Sequence, residues 1–369
     1  MDKCVILTWF YFNNYGTKLQ SYALQKFLRN KGYNVEVANY VPVYNNEVKE
    51  KKIKTYFFNK LINLCYGKKV NKRNELFKKF TKENINFTTK KYNKEELIEL
   101  NKDFENFIVG SDQVWNPNFI DNTYFFDFVD DSKNKISYAP SFAVKKIDEE
   151  NKLRIKPLIN RFNTISVREK NGVDILSELT EKNIDITLDP TFLLSKKEWL
   201  ELINKDEVKE NVEEKYILCY FLGEKQFYWD YVRKIVEKTK YKVKVIPMTR
   251  KSYLKKYDIE VATGPIEFLS LINNAKIICT DSFHGMVFSL IFNKNFSALS
   301  RFDSKDSKSQ NSRIESLLNM LDLKENMIYE DYSNVQYEVN NYEKVNEIMQ
   351  EKIKLSQDFI INAINNRGE

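Results

Sequence analysis

The chain repeats one local pattern: a short apolar run, a polar or glycine-bearing turn, then apolar residues at helical spacing. Its first instance runs from Cys4 to Thr8, through Asn13-Asn14-Tyr15-Gly16, into Leu19, Tyr22, Ala23, Phe27 and Leu28. Lys31-Gly32 closes that helix and Val35 to Tyr40 resumes the extended pattern. Strand, turn, helix and strand in this order make a βαβ unit, and such units build parallel sheets. Parallel sheets carry their ligand loops at the carboxyl ends of the strands. The residues directly after each apolar run are therefore the ones to inspect.

Phe107-Ile108-Val109 leads into Gly110-Ser111-Asp112-Gln113, Ile136 to Tyr138 into Ala139-Pro140-Ser141, and Thr164 to Val167 into Arg168-Glu169. A break after Asp189-Pro190 puts a domain boundary near residue 195, where Ser195 is placed to cap a helix holding Trp199 and Leu200. The alternation then restarts with a strand over Tyr216 to Leu222, a helix near 226–239 and a strand over Val243 to Pro247. Gly264-Pro265 opens a helix carrying Phe268, Leu269 and Ile272, since proline is tolerated in a first turn. Ile277 to Thr280 is the next strand, and it runs into Asp281-Ser282-Phe283-His284-Gly285. An amphipathic helix is expected over about 341–365, with Val345, Ile348, Ile353 and Ile360 among its apolar positions.

A chain of 369 residues is long enough for two domains. The expected fold class is α/β, with two Rossmann-like domains facing a cleft. Residues 1–195 form the first, with a basic helical insertion near 47–102. Residues 196–340 form the second, and a helix over 341–369 packs back on the first domain.

No run of about 18 apolar residues marks a membrane span. Met1-Asp2-Lys3 passes straight into Val5-Ile6-Leu7, too short for a signal-peptide core, so the expected location is cytoplasmic. Cysteines 4, 65, 219 and 279 lack CxxC spacing and are expected as reduced core thiols. With one histidine and no paired cysteines, a structural zinc site is not expected.

The net charge of +7 is local: between Glu47 and Arg73 nine Lys or Arg stand against two Glu, and the remainder sums to zero. Tyr56, Phe57, Phe58, Leu61, Ile62, Leu64 and Tyr66 are interleaved with those lysines. Two readings follow: a solvated insertion packing its apolar side on the domain, which is the commoner use of a lysine-rich helix, or a peripheral contact of 47–73 with the inner face of an anionic membrane. No RNP, zinc-finger or helix-turn-helix signature accompanies the charge, so nucleic acid is not expected as a partner.

The only histidine, His284, follows a buried-looking strand and stands at a helix start, where free N–H groups attract anions. Ser282 is placed to cap that helix and Gly285 to let a ligand approach; the plainer account makes His284 an interfacial histidine and Asp281 a cap. A carboxylate at 281 would repel a bound phosphate unless it points away into the cap. Gly110, Ser111, Asp112 and Gln113 follow the same strand-end logic, with Trp115 as a stacking surface beside them; a turn capped by Asp explains them about as well. The Arg168 fork suits a carboxylate or phosphate, against a plain salt bridge with Glu169 or an acid on a helix.

Six blocks occur in order: Asn14-Tyr15-Gly16, Val109-Gly110-Ser111-Asp112-Gln113-Val114-Trp115-Asn116, Tyr138-Ala139-Pro140-Ser141-Phe142, Ser166-Val167-Arg168-Glu169, Asp189-Pro190-Thr191 and Thr280-Asp281-Ser282-Phe283-His284-Gly285. Through them the chain resembles the polysaccharide pyruvyl transferases. The resemblance implies a fold like the GT-B glycosyltransferases, phosphoenolpyruvate as donor, a sugar diol as acceptor, and a pyruvate ketal and phosphate as products, with no cofactor. It makes His284 the acid or a phosphate ligand, Asp112 the base or acceptor-orienting carboxylate, and Arg168 a donor ligand. Asn14, Gly16, Gly110, Ser111, Gln113, Trp115, Ser141, Ser282 and Gly285 are then substrate-binding candidates. Arg301 and Arg313 are secondary donor candidates, with surface charges as their plainer account. The acceptor, free or lipid-linked, would belong to a capsule, wall polymer or exopolysaccharide. A GT-B-type glycosyltransferase using a nucleotide sugar and a non-catalytic carbohydrate-binding scaffold stay open as alternatives. The lysine-rich segment departs from the family pattern.

Overall fold

The structure is a computed structural model that describes residues 3–42, 52–205, 214–303 and 311–365. Seven strands form the first sheet: β1 (Lys3–Leu7), β2 (Asn34–Tyr40), β3 (Phe87–Tyr92), β4 (Asn106–Val109), β5 (Asn134–Ser137), β6 (Thr164–Val167) and β7 (Ile184–Ile186). Their order is β3-β2-β1-β4-β5-β6-β7, and every pairing is parallel. The second sheet holds β8 (Tyr216–Tyr220), β9 (Lys242–Ile246), β10 (Asp258–Ile259), β11 (Ile277–Thr280), β12 (Asn295–Leu299) and β13 (Met327–Ile328). Its order is β10-β9-β8-β11-β12-β13, again wholly parallel. Strands covered on both faces must be apolar throughout, and β4, β8 and β11 are buried at every position.

In each sheet the strand order reverses once, between β1 and β4 and between β8 and β11. At such a switch point the connections leave on opposite faces and open a crevice beyond the strand ends. The segments after β1, β4, β8 and β11 border these two crevices.

Helix α1 (Tyr15–Asn30) joins β1 to β2, and its first residue is anchored in the second domain. The Tyr15 ring stacks on Phe268 at 4.4 Å and meets Tyr220 edge-on at 5.6 Å, while its hydroxyl donates to Thr263 O at 2.9 Å. Each such aromatic pair is worth about 0.5–1.5 kcal/mol beyond the area it buries. One apolar cluster runs without interruption from Cys4 and Leu19 of the first domain to Phe268 and Phe296 of the second.

Helix α2 (Lys52–Asn84) covers most of the lysine-rich segment; residues 43–51, with Glu47 and the first lysines, lie outside the described residues. From Tyr66 onward α2 packs on both domains. Tyr66 meets Tyr253 at 5.8 Å, Arg73 donates to Pro247 O at 3.2 Å and lies over the Tyr15 ring, and Phe77 and Phe80 are buried. Where the described residues cover the expected helical insertion near 47–102, helix α2 ends at Asn84 and β3 then completes the sheet edge by pairing with β2, so the segment is helix followed by strand rather than helix alone. No helix among the described residues is long and apolar enough to cross a membrane.

The last described helix, Tyr342–Asn365, returns to the first domain. Ser356 Oγ accepts from Leu188 N at 3.0 Å, and Ala363 O accepts from Asn134 Nδ2 at 2.8 Å.

Candidate active site

Asn14 has extended backbone and its Oδ1 accepts from Thr17 N at 3.1 Å, so it starts α1 as an N-cap. The first turn of α1 then delivers three neighbours to three places. Tyr15 enters the interdomain core as described. Gly16 lies against the His284 ring, where an added Cβ would fall 1.9 Å from Nδ1. Thr17 Oγ1 donates to Asp112 Oδ2 at 2.7 Å.

Asp112 follows β4 with φ of 70°, the left-handed region that costs a non-glycine residue about 1–2 kcal/mol. Its carbonyl accepts from Ser141 N at 2.8 Å, which ties the loop after β4 to the loop after β5. Ser141 in turn donates to Glu169 Oε1 at 2.7 Å, linking the loop after β6. Three successive strand ends of the first sheet are thus joined by hydrogen bonds.

Asp189, just beyond β7, joins these strand ends to the second domain. Its Oδ2 lies 2.9 Å from Arg168 Nη1, 3.0 Å from Ser111 Oγ and 3.4 Å from His284 Nε2, the last an ion-pair distance rather than a well-formed hydrogen bond. Its Oδ1 accepts from Thr191 N and Oγ1. Burial pushes the Asp189 carboxyl up, but His284, Arg168 and the Thr191 N–H outweigh that and hold it well below the usual carboxylate range. It is an ionised carboxylate in contact with both domains.

Phe283 opens the helix Phe283–Ile291 and carries a guanidinium from each domain over its ring. Arg168 sits 4.4 Å from the ring centroid and Arg313 6.0 Å away. Both arginines are buried. Burial pushes Arg313 down to about 9, Arg168 adds to the shift, and Asp112 and Glu169 oppose it; the group stays protonated at neutral pH. Arg168 Nε and Nη2 are buried with no hydrogen-bond partner, although Nε lies 3.8 Å from Glu169 Oε2. A buried guanidinium N–H left without a hydrogen bond is costly, and an anion's oxygens satisfy it.

Asp281 points away from this cluster. Its carboxylate accepts from Leu222 N at 2.6 Å, Gly223 N at 2.7 Å and Tyr228 OH at 3.2 Å, and pairs with Arg301 Nε at 3.3 Å. It therefore presents no obstacle to an anion near His284.

Several expected site residues take other places. Trp115 was expected as a stacking surface, yet it is fully buried: its ring stacks on Phe125 at 5.0 Å and its Nε1 donates to Tyr124 O. The loop after β4 folds back on its own domain, so the indole fills that core. Gly285 was expected to admit a ligand, but an added Cβ would lie 2.5 Å from Thr280 Oγ1, so its bareness serves helix-to-strand packing. Gly110 likewise makes room for Thr8. Ser282 caps its helix by accepting from Gly285 N at 3.4 Å. Gln113 Oε1 accepts from Asn116 Nδ2 within its own loop. Arg301 serves Asp281, whereas Arg313 enters the cluster. The expected Arg168–Glu169 ion pair is present at 3.8 Å, and Asp189 adds a closer one at 2.9 Å.

Asp189 and Phe283 stand in the sequence blocks above without an expected site role, and Thr17 stands in none of them. Among the described residues no group of three or more His, Cys, Asp or Glu is placed to hold a metal ion.

The family model for polysaccharide pyruvyl transferase matches residues 14–304, most of the 369-residue chain. The chain belongs to the polysaccharide pyruvyl transferase family. The first-domain loops after β4, β5, β6 and β7 and the helix start at Phe283 fall inside the match, while Arg313 lies beyond its end. No curated protein matches the chain. Among solved structures, the UDP-GlcNAc 2-epimerase of Methanocaldococcus jannaschii is similar with a TM-score of 0.52 and 12% identity, covering 99% of both chains. The UDP-GlcNAc 2-epimerase of Neisseria meningitidis, bound to UDP-GlcNAc, has a TM-score of 0.51 and 10% identity, covering 99% of this chain and 100% of that one. At such identities the likeness is one of fold: this family member has the GT-B arrangement of two parallel α/β domains. The expected fold class holds.

Proposed function

We propose that the protein transfers the enolpyruvyl group of phosphoenolpyruvate to two hydroxyls of a sugar, forming a pyruvate ketal and releasing phosphate. One observation carries this reading: Arg168 and Arg313 converge, buried, over Phe283 at a helix start, with two Arg168 nitrogens lacking hydrogen-bond partners. A small donor bearing both a carboxylate and a phosphate supplies the oxygens such a pair requires. A helix N-terminus beside it adds favourable potential for negative charge.

The chemistry balances with two groups that return to their starting states. His284, oriented by Asp189, gives its proton to the methylene carbon; the C=C electron pair forms that C–H bond and leaves an oxocarbenium at the adjacent carbon. The first sugar hydroxyl adds there and yields its proton to Asp112. The C–O bond to phosphate breaks, and the leaving phosphate takes the proton held by Asp112. The second hydroxyl closes the ketal and returns a proton to His284. Thr17 holds the Asp112 carboxylate in place for this exchange. General acid–base groups of this kind contribute about 10²–10⁴-fold.

The test is to incubate the protein with phosphoenolpyruvate and candidate saccharides, following phosphate release and the mass gain of one ketal. His284→Ala and Arg168→Ala should each lower phosphate release by at least about 10²-fold while keeping the circular dichroism of the parent. Near-normal turnover by either variant removes that residue from the mechanism. A thermal shift with UDP-GlcNAc and none with phosphoenolpyruvate replaces the proposal with a nucleotide-sugar enzyme.

A further inference from the structure

A cavity of about 750 Å³ opens beyond the carboxyl ends of β2 and β3, on the same edge of the first sheet as the cleft. Its volume falls within the range of about 300–1,000 Å³ found for small-molecule sites. Tyr40 and Tyr92, the last residues of the two strands, line it. Three cations, Lys91, Lys94 and Arg154, are matched by three carboxylates, Glu95, Glu96 and Asp121. Lys94 pairs with Asp121 at 3.1 Å, the Tyr40 hydroxyl donates to the same carboxylate at 3.2 Å, and Arg154 Nε donates to Asn122 Oδ1 at 2.7 Å, so the wall is a balanced network that favours neither an anion nor a cation. Sugar hydroxyls, which both donate and accept, can join such a network at its remaining lone pairs and N–H groups, beside the edges of the two buried tyrosines.

Two loops connect this cavity to the catalytic cluster. The loop after β4 begins at Gly110-Ser111-Asp112 in the cluster and reaches Ile120 and Asp121 in the cavity wall. The loop after β1 carries Trp9, Phe10, Tyr11 and Phe12 immediately before the Asn14 cap. Phe12 is 44% exposed, an unusual position for so large an apolar ring, and Trp9 meets it edge-on at 5.9 Å. The buried Tyr124 ring contacts Trp9 on one side and Tyr40 on the other, at 6.4 Å each, so the exposed aromatic loop and the cavity share one support.

We infer that this cavity is a subsite for the sugar units neighbouring the reacting one, and that the Trp9–Phe12 loop carries the saccharide between cavity and cleft. The inference rests on the transferase reading for its occupant, since a polymer repeat unit presents several sugars on either side of the diol. It assigns acceptor length selection to residues with no part in the chemistry.

The experiment is capture of the full chain, without phosphoenolpyruvate, on an array of bacterial capsular and wall-polymer saccharides from mono- to hexasaccharide. At least one oligosaccharide should retain the protein when its terminal monosaccharide does not. Phe12→Ala and Arg154→Ala should each weaken that capture by about 10-fold or more, equivalent to about 1.4 kcal/mol. Leu153→Ala, an exposed neighbour of Arg154, should leave it unchanged. Absence of any oligosaccharide capture, or equal capture by Phe12→Ala and Arg154→Ala, overturns the subsite. Failure of the transferase reading shows separately: capture with this variant pattern but no phosphate release from phosphoenolpyruvate keeps the subsite and removes the chemistry.

Discussion

Trp115 and Phe283 are aromatic residues a few positions beyond the ends of central parallel strands, and the two domains use them in opposite ways. The Trp115 indole lies among Phe125, Phe142 and Phe162 of its own domain, with its N–H bonded to a backbone carbonyl. The Phe283 ring instead carries Arg168 of the first domain and Arg313 of the second. What differs is the local path of the chain. After β4 the chain turns at Asp112 and folds back through short helical turns, which draws Trp115 inward. After β11 it enters a helix at once, and the first residue of that helix is left at the domain junction. An aromatic next to a strand end thus belongs to the site only where the following backbone keeps it at the crevice.

The difference can be broken by substitution. Trp115→Ala should cost about 3–5 kcal/mol of stability, as large-to-small core changes do, while the folded fraction keeps its turnover. Urea melts and phosphate release measured on the same preparation check this, and Trp115→Phe provides a milder variant should the alanine form fail to fold. Loss of turnover in folded Trp115→Phe would place the indole in the site after all.

Gly16 and Gly285 sharpen the same contrast. An alanine at 16 meets the His284 ring across the domain junction, whereas one at 285 meets Thr280 of the adjoining strand in its own domain. Gly16→Ala should therefore lower turnover by about 10²-fold, the effect of displacing a reacting group by roughly 1 Å. Gly285→Ala should act first on stability, by about 1–3 kcal/mol for an overpacked contact. Equal melts with unequal rates, or the reverse, distinguish the two. A smaller effect is expected at Phe283 itself: Phe283→Leu keeps most of the apolar volume and loses the ring face under two guanidinium groups. At about 0.5–1 kcal/mol per cation–π contact, losing both should lower stability by about 1–2 kcal/mol, and the KM for phosphoenolpyruvate should rise because the two guanidinium groups lose their common platform.

These contrasts also explain which features were legible in the sequence. Strand ends after β1, β4, β6 and β11 stood out because a parallel strand buried on both faces leaves an uninterrupted apolar run. Asp189 was passed over as a site residue because β7 is a half-exposed edge strand, Ile184-Asp185-Ile186, with no apolar run to mark its end. Thr17 was hidden because helical periodicity reports apolar positions, and a polar residue facing another loop leaves no trace in it. Arg301 and Arg313 looked equivalent on either side of a polar stretch. They separate only through partners distant in sequence: Asp281 takes Arg301, and burial of the helix Ser312–Met320 carries Arg313 inward. Asp281 resolved in the same way, since its partners Leu222, Gly223 and Tyr228 belong to the loop after β8 and to the helix Gln226–Thr239.

The least effect at neutral pH, and the most direct probe of the junction between the two domains, is the acid limb of stability. The Asp189 carboxyl is held below its unfolded value of about 3.9, so the folded state binds fewer protons there than the unfolded chain. The stability it contributes is fully present above about pH 4–5 and is lost as pH falls through its lower folded value. Parent protein should accordingly show little change from this group between pH 7 and 5 and a steepening loss below pH 4. Asp189→Asn removes the titrating group and should flatten that limb while lowering stability at neutral pH, because Arg168 then keeps its charge without its nearest carboxylate partner. Asp185→Asn is the matching control, because burial raises the Asp185 carboxyl rather than lowering it, so its removal should not flatten the limb. If both variants steepen or flatten alike, the acid limb reports general carboxylate protonation and the special place of Asp189 between the domains is lost. If only Asp189→Asn flattens it, that one carboxylate couples domain contact to the charge state of the site.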